Sequence, residues 1–142
     1  MPALTPVRES VEKRVVKDPY SKFGQLTYEM WRAVRLVIDT GMHSRGWTRD
    51  QAIQFFRKNT GKTDQDIAVE VDRYMVWPGQ ALAYKLGQLK IRELRTEAGR
   101  RLGTGFNVRD FHDAVLEQGA IPLNVLESRL RRWIDRQSGP AN

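Results

Sequence analysis

Between Phe23 and Ile38 the apolar residues Phe23, Leu26, Met30, Val34, Val37 and Ile38 recur at steps of three and four. That repeat lays them along one side of an α-helix. The pattern predicts a first long helix that opens near DPYSKFG (18–24) and stops at Gly41, a residue able to take the left-handed C-cap conformation. TRDQ at 48–51 has the form of a capping box, Thr48 accepting from the backbone three residues on and Gln51 reaching back. A second helix follows, with Ala52, Ile53, Phe55 and Phe56 buried, and it ends at NTG (59–61). Thr63 caps a third helix through about Met75, carrying Ile67, Val69, Val71 and Tyr74. Pro78 lacks the amide donor of a helix interior and constrains Trp77 before it, so it suits the first turn of the next helix.

That fourth helix should run from about Gly79 to Ala98, with Leu82, Leu86, Leu89 and Leu94 on its apolar side. Gly87 in its middle costs about 1 kcal/mol relative to alanine, which argues that a neighbouring element packs closely there. GTGFN (103–107) makes a loop, Asn107 caps a fifth helix to Gln118, Gly119 ends it, and Pro122 begins a sixth reaching about Arg136. No stretch alternates with period two and no Asn-Gly or Asp-Gly hairpin is present. The fold class is therefore all-α, five to six helices in an irregular bundle. Residues 1–17 read as a flexible N-terminal arm, 18–137 as a single helical domain and 138–142 as a disordered tail.

Composition narrows the chemistry. A chain of 142 residues is of single-domain size. With no cysteine, it can have neither a disulfide frame nor a thiolate metal site. The N-terminus lacks the apolar run of a signal peptide, and nothing approaches the roughly 20 apolar residues of a membrane span. The expectation is a cytoplasmic protein with no membrane partner. A net charge of +7, from 24 basic and 17 acidic side chains, favours an anionic partner without naming one.

A zinc hydrolase site on a helix needs two histidines four apart with a carboxylate beside them. Here only His43 and His112 exist, in different elements, so no metal site and no cofactor are expected in this chain. His112 stands four residues after Val108 and three before Val115, the setting of a partly buried structural histidine. GTGF is too short for a phosphate loop and lacks a following lysine, and no serine sits in a nucleophile elbow.

More specific is a polar stripe on the first helix: Tyr28, Arg32, Arg35 and Asp39, at spacings of four, three and four. Taken alone it reads as a solvated face with a minor Arg35–Asp39 ion pair. His43 just past the expected cap, and a second stripe of Gln80, Tyr84 and Gln88 with Lys85 alongside, point the other way. If the two helices pack near Gly87, these side chains converge on a cleft. TRDQAIQFFRKNTGKTDQDIAVEV (48–71) has the cadence of a helix-turn-helix, but its second helix carries Asp64, Asp66, Glu70 and Asp72, which repel phosphates. Nucleic acid is not the expected partner.

The strings DPYSKFGQL (18–26), EMWRAVRLVIDTGMHSRGWTRDQAI (29–53), EVDRYMVWPGQALAYKLGQLKI (70–91) and FHDAVLEQGAIPLNVLE (111–127) resemble the C-terminal portion of a bacterial domain-of-unknown-function family, number 885. Its full-length members resemble helical zinc metallopeptidases of the gluzincin type. The resemblance implies a zinc motif, a His-Glu…Gly-His run plus a downstream glutamate, that precedes the matched part and that residues 1–17 do not supply. For this chain it implies one wall of a peptide-binding cleft. Tyr84 would be an oxyanion or carbonyl donor, Arg32, Arg35 or Arg73 carboxylate clamps, and His43 a supporting or transition-state donor. Asp39, Gln80 and Lys85 would line the substrate side.

On that basis the chain is expected to be a catalytically incomplete helical subdomain, zinc belonging to full-length relatives. A zinc-bearing companion chain, or a homodimer, would cover apolar surface left open. The alternative is a basic helical module that binds nucleic acid or protein.

Overall fold

The computed structural model describes residues 18–139, so the expected arm (1–17) and residues 140–142 of the tail lie outside the described residues. Six α-helices follow one another, with no strand among the described residues. They are α1 (Pro19–Arg45), α2 (Arg49–Asn59), α3 (Asp64–Val76), α4 (Ala83–Leu102), α5 (Val108–Leu116) and α6 (Leu123–Gln137). Short 3₁₀ turns occupy Gln80–Leu82 and Gly103–Gly105. The all-α expectation holds. Between Ala83 and Tyr84 the chain divides into two compact units, each with its own core, where the sequence pattern suggests one domain.

The helix starts follow local chemistry. Asp18 accepts from the Ser21 amide at 2.9 Å and Pro19 takes the first position of α1. Thr48 and Gln51 form the complete capping box of α2. Thr63 and Asn107 cap α3 and α5 through their side chains.

The end of α1 differs from expectation. The helix passes through Gly41 and stops at Gly46, which adopts φ 67°. Gly41 is needed for space: a Cβ there would stand 2.5 Å from Trp47 Cδ2 and Cε3. The Trp47 amide also donates to the Gly41 carbonyl at 2.9 Å, so the indole folds back across the last turns of α1. Pro78 likewise precedes the next helix instead of opening it. Trp77, Pro78 and Gly79 make a turn, Gly79 at φ 81°, before the 3₁₀ segment leads into α4. Around Gly87 the expected close neighbour is missing: a Cβ there would meet nothing within 4 Å.

In the first unit the core comprises Val34, Ile38, Ala52, Phe56, Ile67, Val71, Tyr74 and Ala81, with Trp31 and Trp47 packed against it. The second unit gathers Leu94 and Ala98 of α4, Phe111 of α5 and Leu126, Leu130 and Ile134 of α6. Trp133 meets Phe111 edge-on at 6.2 Å. Not every apolar position is used. α1 buries only Val34, Arg35, Ile38, Asp39 and Gly41, so Phe23 (71% exposed), Leu26, Met30 and Val37 remain open, as do Val69, Leu86 and Leu89. His112 is also exposed, against the expectation of partial burial, because α5 turns Phe111 inward instead.

Candidate functional site

The polar stripe of α1 divides in two: Tyr28 and Arg32 are exposed, whereas Arg35 and Asp39 do not face water. Arg35 is 7% exposed and Asp39 3%, buried against the turn that follows α3. Both oxygens of the Asp39 carboxylate accept from the Gly79 amide, at 3.2 and 3.0 Å. Arg35 Nη2 donates to Gln80 Oε1 at 3.1 Å, and its guanidinium lies 5.3 Å from the centre of the Tyr74 ring. The solvated-face reading is therefore corrected for Arg35 and Asp39. Burying charge is costly unless it finds partners, and the WPGQ turn (77–80) supplies one for the Asp39 carboxylate and one for Arg35 Nη2.

Tyr74 lies at the centre of this network. Its ring is buried, so its hydroxyl needs partners. It donates to Glu70 Oε2 at 2.6 Å and accepts from Trp31 Nε1 at 3.3 Å. Burial first, and then the bond to Glu70, push the phenol well above the usual tyrosine range, so it stays protonated as a donor. Arg73 donates to the same Glu70 oxygen, a contact that raises its own affinity for the proton. Beside this network lies a groove of about 190 Å³, lined in part by Trp31, Lys62, Asp66 and Glu70. The Lys62 ammonium sits 4.3 Å from the Trp31 ring centre.

His43 lies on the last turns of α1 and is exposed, yet its Nε2 is 2.9 Å from the Tyr74 carbonyl. A carbonyl only accepts, so Nε2 is the donor in this contact. Arg32 is exposed on α1, and Arg73 is half-buried on α3. Of the expected residues, then, the first unit brings together Arg35, Asp39, Gln80, His43 and Arg73 around Tyr74 and the WPGQ turn. Tyr84 and Lys85 belong to the second unit. Tyr84 is 62% exposed and Lys85 Nζ donates to Gln88 Oε1 at 3.1 Å. Sequence reasoning treated Tyr74 as core filler and missed the polar roles of Glu70 and Trp31. Glu70 and Tyr74 stand four apart on one helix, and a buried tyrosine requires a hydroxyl partner, so this pair was detectable.

These residues do not fit a zinc ion. Among the described residues no group of three or more His, Cys, Asp or Glu could hold a metal. The nearest donors are already engaged, His43 by a carbonyl and Glu70 by Tyr74 and Arg73.

Fold and network together define an all-α chain whose buried charged residues, Arg35 and Asp39, hold a Pro-Gly turn. Residues 11–130 match the family described as "Bacterial protein of unknown function (DUF885)", and the chain belongs to that family. A solved structure from Colwellia psychrerythraea, provisionally named a lipoprotein, is similar at 50% identity and a TM-score of 0.82. The match covers 85% of this chain but 21% of that one, so the chain spans about a fifth of that relative's length. A search of curated proteins gives no match. No described helix is long and apolar enough to cross a membrane. The relative's lipoprotein name does not clearly fit the expected cytoplasmic location.

Proposed function

We propose that this chain is a catalytically incomplete helical subdomain of a zinc metallopeptidase-like protein, lending substrate-binding residues to a cleft completed by a companion chain or by a preceding region. The observation that carries the reading is the uncovered strip on α1. Phe23, Leu26, Met30 and Val37 are each at least 40% exposed, in a chain that matches about a fifth of a larger relative. Apolar side chains aligned along one helix edge are what a neighbouring helical body would cover. Among the residues assigned to the substrate side, Arg32, His43, Gln80 and Tyr84 are exposed enough to touch a peptide. Arg35 and Asp39 act by holding the WPGQ turn, and Arg73 by holding Glu70. The interaction-module alternative is contained in this reading. Nucleic acid is disfavoured, since Asp66 is exposed on α3 and Asp64 and Asp72 engage Arg57 and Arg49, two cations a phosphate backbone would need.

Metal analysis and peptide-cleavage assays on the purified chain test the catalytic half of the proposal. No stoichiometric zinc and no turnover are expected; one tightly bound zinc per chain, or turnover by metal-stripped protein, overturns it. Light scattering at high concentration tests the association half, with a mass above the 16.4 kDa monomer expected. A strictly monomeric mass counts against a strip that needs covering.

A further inference from the structure

On the second unit, remote in sequence from the residues above, α5 and α6 enclose a groove of about 230 Å³. Arg129, Arg132, Trp133 and Arg136 of α6 line it, with Ala114 of α5 and Glu117 at its C-cap opposite. Positions 129, 132, 133 and 136 follow the three-and-four spacing that gathers side chains on one helix face. Arg129 is matched: its Nη2 donates to Glu117 Oε2 at 2.8 Å. Asp135 on the same helix pairs with Arg101, and Glu127 with Lys90 and Arg131. Among the described residues no ion pair or hydrogen bond engages the guanidinium of Arg132 or Arg136.

We propose that this groove binds a phosphomonoester, Arg132 and Arg136 clamping the phosphate while Trp133 and Ala114 line the path of its carbon skeleton. Two guanidiniums one helical turn apart have Cβ atoms about 5–6 Å from each other, close enough for both forks to reach one tetrahedral group. Their two unmatched charges suit an anion carrying about −1.5 to −2 at neutral pH, which a phosphomonoester does and a carboxylate does not. Guanidinium–phosphate bonds are charge-assisted and frequently bidentate, so the pair selects by geometry as well as by charge. Glu117 adds no net repulsion, because Arg129 already neutralises it. The inference does not depend on the peptidase reading.

The ester could be a soluble metabolite or a lipid headgroup, and the test separates them. At fixed ionic strength, phenyl phosphate is titrated into the full chain while the side-chain NMR signals of Arg132, Arg136 and the Trp133 indole are followed. A parallel sedimentation assay uses phosphatidylcholine vesicles with and without phosphatidic acid. Saturable shifts at those three residues support the site, and an Arg132→Gln/Arg136→Gln double variant with unchanged melting should bind about tenfold more weakly or worse. Vesicle binding that depends on phosphatidic acid and on the same arginines supports a headgroup source. Silence in both arms, equal binding by the double variant, or binding only to an oligonucleotide overturns the proposal.

Discussion

In the unit that ends at Ala83, the interior holds two charged residues, Arg35 and Asp39, and a tyrosine whose hydroxyl has two partners. In the unit that begins at Tyr84, every buried side chain among the described residues is hydrocarbon, and charge stays outside. There Lys90, Glu93, Glu97, Arg101, Glu127, Arg131 and Asp135 form a lattice between α4 and α6. An apolar interior is held by area and shape, which are undirected; a buried polar network is held by named donors and acceptors, each costly to orphan. The first unit has thus fixed the geometry of one turn, at Gly79 and Gln80, more tightly than hydrocarbon packing alone could. The second has left Arg132 and Arg136 available on the surface.

The contrast can be broken at either end. Phe111→Ala in the second unit should lose the most, about 3–5 kcal/mol, the usual cost of emptying a buried aromatic site. Denaturant unfolding reads it directly. In the first unit, Asp39→Ala removes the acceptor of the Gly79 amide and should cost about 1.5–3 kcal/mol, with Gly79 hydrogen exchange accelerating. Asp39→Asn keeps one acceptor and should cost less; equal losses for the two would mean that shape, not the hydrogen bond, matters there. A glycine pair sharpens the same question. Gly41→Ala meets Trp47 and should destabilise by about 1–3 kcal/mol, whereas Gly87→Ala enters open space and should stabilise by about 0.5–1 kcal/mol. Thermal melting of the two variants should move in opposite directions. Smallest of all, Glu97→Gln on the ionic lattice should cost under about 1 kcal/mol, a difference that shrinks as salt is added.

What could be read from the sequence follows the range of the interactions concerned. Thr48, Thr63 and Asn107 announce helix starts because a cap and its amide lie within three residues of each other. The end of α1 was misplaced because Gly41 and Gly46 both look like stop signals. Only the fold-back of Trp47 decides which glycine serves space and which serves a positive φ. The Arg35–Asp39 stripe was visible as spacing, but its burial depends on Gly79 and Gln80, some forty positions later. The division into two units carries no linker signature because it falls at the first turn of α4, where the helical pattern continues unbroken. Side chains assigned to a cleft wall proved in part to be turn holders, since both tasks call for the same hydrogen-bonding groups.

The open edge of α1 carries directional information. Phe23, Leu26, Met30 and Val37, with Ala33 between the last two, alternate three and four residues apart, a seven-residue cycle instead of a broad 3.6-residue face. A seam of that kind drifts only slowly around its cylinder, so it favours a companion rod lying alongside at a shallow angle near 20° over one crossing steeply. A partner of the proposed kind would run lengthwise for about two heptads, which makes register, more than contact area, the property that would distinguish the right partner from a wrong one.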